Sequence, residues 1–263
     1  MSEFLLALDT ATERTAVGVA RLEGDAPILV ASAVVDAPRA AMSRLLPTAA
    51  SLLDEAEAAP SDVVAVIVGR GPGSFTGVRI GVATAKGLAH GLGVSLWGVG
   101  TLDAIAWGVA AARAAEPPFT LAVAGDAMRG EIYPALFRCA GGSAARLAAD
   151  TVAKPEVVLD RWLALGEPLV LAGNGLRKYG DALQAGLGSS ATLADEEFWA
   201  PTAAGLFAAW VAARDAGQLG SGDPGEALPV YTRLSDAEEN ERIRAGLAAI
   251  ETPDSGVAGG DGR

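Results

Sequence analysis

Apolar residues in this chain come in short runs broken by glycine, proline and acids, and the period of the runs changes along the sequence. Residues 5–9 (Leu-Leu-Ala-Leu-Asp) predict a buried strand. Residues 15–21 alternate well enough for a second, and 28–35 give a third after the turn Glu23-Gly24-Asp25-Ala26-Pro27. Three strands joined by two short turns make an antiparallel meander. Over 43–58 the period becomes helical: Leu45, Leu46, Ala49, Leu52, Leu53 and Ala56 share one face, with Pro47 tolerated if it sits in the first turn. Pro60-Ser61-Asp62 interrupts the chain before a strand at 64–68. A helix at 78–90, a strand at 94–99 and an Ala-rich helix at 101–114, with Thr101 as its cap, complete a βββαβαβα series.

A second set follows Glu116-Pro117-Pro118. Strands at 119–124 and 131–138 flank the turn Gly125-Asp126-Ala127-Met128-Arg129-Gly130, which repeats the opening logic of a strand, an acid and a hairpin. A strand at 169–172 ends in Gly173-Asn174-Gly175 and leads into a helix at 176–187. A last helix covers 202–215. Trp162, Trp199 and Trp210 read as packing residues. Meander followed by alternating helices and strands implies an α/β layer fold with a mixed sheet. The same order occurs in ribonuclease-H-like lobes of the actin type, and two similar halves fit a duplicated fold.

The most informative stretch is Gly69-Arg70-Gly71-Pro72-Gly73-Ser74-Phe75-Thr76-Gly77-Val78-Arg79-Ile80-Gly81. It joins a buried strand to a helix start, with Ser74 or Thr76 available as cap. Backbone N–H groups converge at such a junction, so an anion or another backbone can come close. It is no P-loop, because no Gly-Lys-Ser/Thr follows at the required spacing, and Thr76 stands where a dinucleotide fingerprint has its third glycine. Gly77 and Gly81 share a helix face with Ala85 and Leu88. Each glycine costs roughly 1 kcal/mol against alanine, so the face predicts a close neighbour: either its own sheet, or the first helix together with a partner subunit. Asp9, at the end of the first strand, is either an Asx-turn acid or a carboxylate for a metal–phosphate group or a water.

Composition narrows the chemistry. The 263 residues are 51% hydrophobic and 20% charged, which suits a chain with a real core. No apolar run approaches the ~20 residues of a membrane span. The opening Met-Ser-Glu-Phe has an acid in place of a basic region, so no signal peptide is expected. Cys139 is the single cysteine, expected as a buried or partly buried thiol in a reducing cytoplasm. The formal net charge of −12 disfavours direct gripping of a nucleic-acid backbone. His90 is the only histidine, so neither a zinc site nor a Ser-His-Asp triad can be assembled within one chain.

As a literal string, the Gly-rich stretch resembles the signature of the TsaB (YeaZ) family. Further resemblances are Leu6-Ala7-Leu8-Asp9-Thr10-Ala11-Thr12, Leu45-Leu46-Pro47, Gly98-Val99-Gly100-Thr101-Leu102, Asp126 to Tyr133, Gly173-Asn174-Gly175 and Pro229-Val230-Tyr231-Thr232-Arg233. The resemblance implies an α/β protein of two ribonuclease-H-like lobes of the actin/heat-shock-ATPase/sugar-kinase type, with mixed sheets flanked by helices. The lobes would be residues 1–115 and 116–234, followed by a charged, Gly-rich tail at 235–263 expected to be disordered. It implies a cytoplasmic, non-catalytic partner of a TsaD-like subunit in threonylcarbamoyladenosine formation on tRNA. A TsaE-like ATPase would dock on the pair, tRNA would be met only through the complex, and homodimers could form without the partner.

The partner interface is expected on the first two helices, at Leu46, Leu53, Val78, Gly81, Val82, Ala85 and Lys86, with Gly81→Leu blocking association in a folded monomer. Asp9, Thr10, Gly71, Gly73 and Ser74 would form a degenerate nucleotide groove, with no cofactor alone and ATP or ADP with magnesium only in the assembled complex. Two departures stand out. Met42-Ser43 replaces the His-Ser or His-Thr of many relatives, and the histidine pair that binds metal in TsaD is absent. Ala11 stands where kinase-type phosphate turns have glycine, and its methyl obstructs phosphate approach. The alternative is an active phosphotransferase of the sugar-kinase type using Asp9 and Asp126; a metallopeptidase lacks its ligands.

Overall fold

The structure, a computed structural model, describes residues 2–36 and 41–232; the tail at 235–263 lies outside the described residues. The first half runs β1 (Phe4–Asp9), β2 (Arg14–Glu23), β3 (Ala26–Asp36), α1 (Ala41–Glu55), β4 (Val63–Gly69), α2 (Phe75–Leu92), β5 (Ser95–Val99) and α3 (Thr101–Ala112). The second repeats that order with β6 (Phe119–Asp126), β7 (Ile132–Ala140), β8 (Ser143–Arg146), α4 (Pro155–Leu163), β9 (Leu169–Ala172), α5 (Leu176–Leu187), β10 (Ala191–Leu193) and α6 (Ala203–Asp215). Strand order is β3-β2-β1-β4-β5 in one mixed sheet and, equivalently, β8-β7-β6-β9-β10 in the other. The duplication expected from the acid-and-hairpin repeat is therefore complete, element for element.

Period-two alternation explains the layers. Phe4, Leu6 and Leu8 of β1 face α1 and α2, packing with Leu45, Leu52, Val78 and Val82. Leu5 and Ala7, on the opposite face, meet Leu206, Phe207 and Trp210 of α6. In the second sheet Leu121 and Val123 meet Leu102, Ile105 and Val109 of α3, while Ala122, Leu169 and Leu171 meet Val158, Trp162 and Leu183 of α4 and α5. The last helix of each half thus covers the sheet of the other half. The sheets divide between α3 and β6; the helix layer does not. Where α3 and α6 cross, a Cβ on Gly205 would overlap the Ala104 carbonyl, so glycine sets their close approach.

Several local expectations change. α1 begins at Ala41, two residues before the expected start, so Pro47 lies in its second turn and not its first. Gly100, not Thr101, is the N-cap of α3; the Thr101 hydroxyl is engaged elsewhere. Ser74 is the N-cap of α2, accepting from the Gly77 N–H at 3.2 Å. β8, α4 and β10 were not anticipated. Cys139 is fully buried, and burial pushes its thiol up to about 11. No described helix is long and apolar enough to cross a membrane.

Candidate functional site

The site begins where β1 and β4, neighbouring parallel strands, end side by side. Asp9 is wholly buried there. Its Oδ1 accepts from the Ala11 N–H at 2.6 Å and its Oδ2 from the Thr101 hydroxyl at 2.7 Å. Burial pushes the carboxyl up to about 6 from an ordinary 3.8, and the Thr101 and Ala11 bonds act against that rise. The Thr101 oxygen also accepts from the Gly71 N–H at 3.0 Å, so one hydroxyl ties the acid to the Gly-rich turn. Gly71 holds φ +91, a conformation that suits glycine.

The glycines of that turn receive residues 9–11 as neighbours. A Cβ on Gly69 would overlap the Asp9 carboxyl, one on Gly73 the Ala11 carbonyl, one on Gly77 the Thr10 carbonyl and one on Gly81 the Thr10 hydroxyl. Thr10 Oγ1 donates to the Gly77 carbonyl at 2.6 Å, and the Ser74 N–H donates to the Ala11 carbonyl at 2.7 Å. Spacing by four along a strand, turn and helix thus builds a flat seat for the β1–β2 turn. Backbone does approach this stretch closely, and it is the chain's own.

Across from the seat, the β6–β7 turn and the start of α5 form the other wall of a groove of ≈400 Å³. Thr10, Thr12, Glu13, Ser74 and Thr76 line one side; Asp126, Met128, Asn174, Arg177 and Lys178 line the other. Asp126 Oδ1 accepts from the Met128 N–H at 2.9 Å, and its Oδ2 pairs with Lys178. That bond holds the Lys178 ammonium above its ordinary value. Asn174 Oδ1 accepts from the Asp126 N–H at 2.9 Å. Among the described residues no group of three or more His, Cys, Asp or Glu is placed to hold a metal ion.

Of the residues expected in a nucleotide groove, Thr10 and Ser74 line it, whereas Asp9, Gly71 and Gly73 lie behind its wall. Of those expected at a partner interface, Leu53, Val78, Gly81, Val82 and Ala85 are buried in the first half's own core or against the β1–β2 turn. Leu46 is exposed, and Lys86 donates to the Gly225 carbonyl at 3.1 Å. Gly81→Leu would therefore collide with Thr10 and could not leave the monomer's packing intact. The open side of α2 is elsewhere: Ala83, Gly87 and Gly91 are exposed, and a Cβ at Gly87 or Gly91 would meet nothing within 4 Å. Glu13, Arg177 and Lys178 were missed, since isolated charges read as a solvated face. Asn174 is legible in the sequence only within the Gly173-Asn174-Gly175 string, with no role attached to its side chain.

Two duplicated ribonuclease-H-like lobes, each a mixed five-stranded sheet between helices with a groove between the two acidic hairpins, define the actin-like class of α/β proteins. Comparison with known proteins narrows this. A family model described as TsaD, tRNA N6-adenosine threonylcarbamoyltransferase, matches residues 35–191. The tRNA threonylcarbamoyladenosine biosynthesis protein TsaB of Escherichia coli is 35% identical over 200 residues, covering 76% of this chain and 82% of that one. An uncharacterised Mycobacterium leprae protein is 38% identical over 151 residues, but the chain spans only 39% of that protein's length. The YeaZ structure from Pseudomonas aeruginosa superposes with a TM-score of 0.71 at 31% identity, covering 87% of this chain and 99% of that one. The chain belongs to the TsaB (YeaZ) family.

Proposed function

We propose that this chain is the non-catalytic, activating partner of a TsaD-like subunit that forms the threonylcarbamoyl group on the tRNA adenosine beside the anticodon. The observation carrying this reading is the closed β1–β2 turn. Ala11 lies on Gly73 and takes the Ser74 N–H, so the Gly-rich backbone that would cradle a phosphate is turned to internal packing. Asp9, the acid a phosphotransferase would need in the groove, is sealed beneath Thr101. The residues present therefore do not fit a nucleotide phosphate at this turn, and ATP or ADP with magnesium enters only in the assembled complex. The name of the Escherichia coli relative supports the pathway, and the TsaD-type match within this chain supports a partner of like architecture. Docking then uses the exposed ridge of α1 and α2 around Leu46, Ala83 and Gly87. In this reading the pair works in the cytoplasm, a TsaE-like ATPase joins it, tRNA is met through the complex, and the ridge self-associates when the partner is missing.

The test is light scattering on size-exclusion fractions of the chain alone and mixed with the TsaD-like protein of the same organism. A discrete heterodimer is expected, lost in Gly87→Arg with the far-UV spectrum unchanged. No association, together with tight ATP–magnesium binding by the lone chain, would replace this reading with the phosphotransferase.

A further inference from the structure

The groove is spanned by the chain's own side chains. Glu13, from the β1–β2 turn, reaches the start of α5, where its two oxygens accept from Asn174 Nδ2 and Arg177 Nε, each at 2.8 Å. Arg177 continues to the Glu196 carboxylate at 2.8 Å, and the Glu196 carbonyl accepts from Arg14 of β2 at 3.3 Å. Two adjacent residues of the first half are therefore tied to the second half through one charged chain. Glu13 and Arg177 keep about a third of their side-chain surface, 29% and 34%. Each is thus partly desolvated, and the Glu13 bonds are charge-assisted. Asn174 is itself fixed by the Asp126 N–H, so its amide is already oriented toward Glu13. Nothing in the closed β1–β2 turn requires this acid: the seat on Gly73 and Gly77 is made by residues 10 and 11.

We propose that Glu13 is a charge latch that holds the two halves shut over the groove without any ligand. Proteins that close two lobes around a ligand draw the closing contacts from that ligand. Here a tethered carboxylate supplies them, so closure is a property of the chain and depends on ionic strength. The latch is independent of the partner assigned above.

Amide hydrogen exchange on the full chain, read by mass spectrometry, tests it. In Glu13→Ala, exchange should rise roughly tenfold in both walls, residues 10–14 and 173–178, as local opening becomes easier. Glu13→Gln, which keeps an acceptor for Asn174 without the charge, should fall between. In the unmodified chain both walls should loosen together from about 0.05 M to about 1 M NaCl, as the screening length falls to about 3 Å. A rise confined to residues 10–14 would make Glu13 a turn residue and overturn the latch. So would walls indifferent to salt, a result that does not depend on any variant folding.

Discussion

The two acidic hairpins start from the same local geometry and end in different surroundings. Asp9 and Asp126 each close a strand, and each accepts the N–H of the residue two ahead. Asp9 is buried with only neutral partners, a hydroxyl and a backbone amide, so burial wins and its proton is held to about pH 6. Asp126 lies on the groove wall beside a half-exposed lysine. The difference comes from what covers each turn. α2 brings glycines down onto the first, whereas α5 brings Asn174, Arg177 and Lys178 to the second. A duplicated frame has thus been spent on one structural turn and one polar wall.

The sharpest way to break the comparison is to remove the seat. Gly81→Leu should cost about 3 kcal/mol or more, or prevent folding, because overpacking here meets the Thr10 side chain in the core. Gly87→Ala, on the open side of the same helix, should be neutral or stabilising by up to about 1 kcal/mol. Urea melts of the two variants decide; equal effects would mean the seat does not exist.

Next in size is the proton on Asp9. Its carboxyl holds a proton to about 6 when folded and to about 3.8 when exposed, so the folded state binds more protons between those values. Stability therefore falls as pH rises through that window, by about 3 kcal/mol at most. Asp9→Asn does not titrate, so the stability difference should move in the variant's favour from about pH 4 to 6. Parallel pH profiles would refute the buried-acid account. The smallest effect is expected at the second hairpin. Asp126→Asn keeps the turn bond but loses the pair with half-exposed Lys178, so it should cost under about 1 kcal/mol and nothing at high salt.

Much of the frame is readable in the chain because the central strands β1, β4, β6 and β9 are short apolar runs and most breaks carry glycine or proline. What escaped is instructive. β8 and β10 have only 4 and 3 residues, too few for alternation to register. In α4, Val157 and Leu163 are exposed beside buried Val158 and Trp162, so no clean stripe is visible. The glycine face of α2 correctly announced a close neighbour, but a helix face looks the same whether a partner or its own turn fills it. The turn filled it because Thr10 and Ala11 are small enough to lie flat, which only the tertiary fold reveals. Glu13 and Arg177 are 164 residues apart, and no local pattern links them.

The exchange of final helices between the halves also bears on how the chain is made. The back face of the first sheet, with Leu5, Ala7 and Ile67, is covered by α6, which ends at Asp215. During synthesis that face stays bare while the whole second sheet emerges from the ribosome. Unlike proteins whose domains fold one after another as they appear, this nascent chain cannot bank its first half early. Its exposure to misassociation, and its need of a chaperone, should last until α6 has emerged and covered that face.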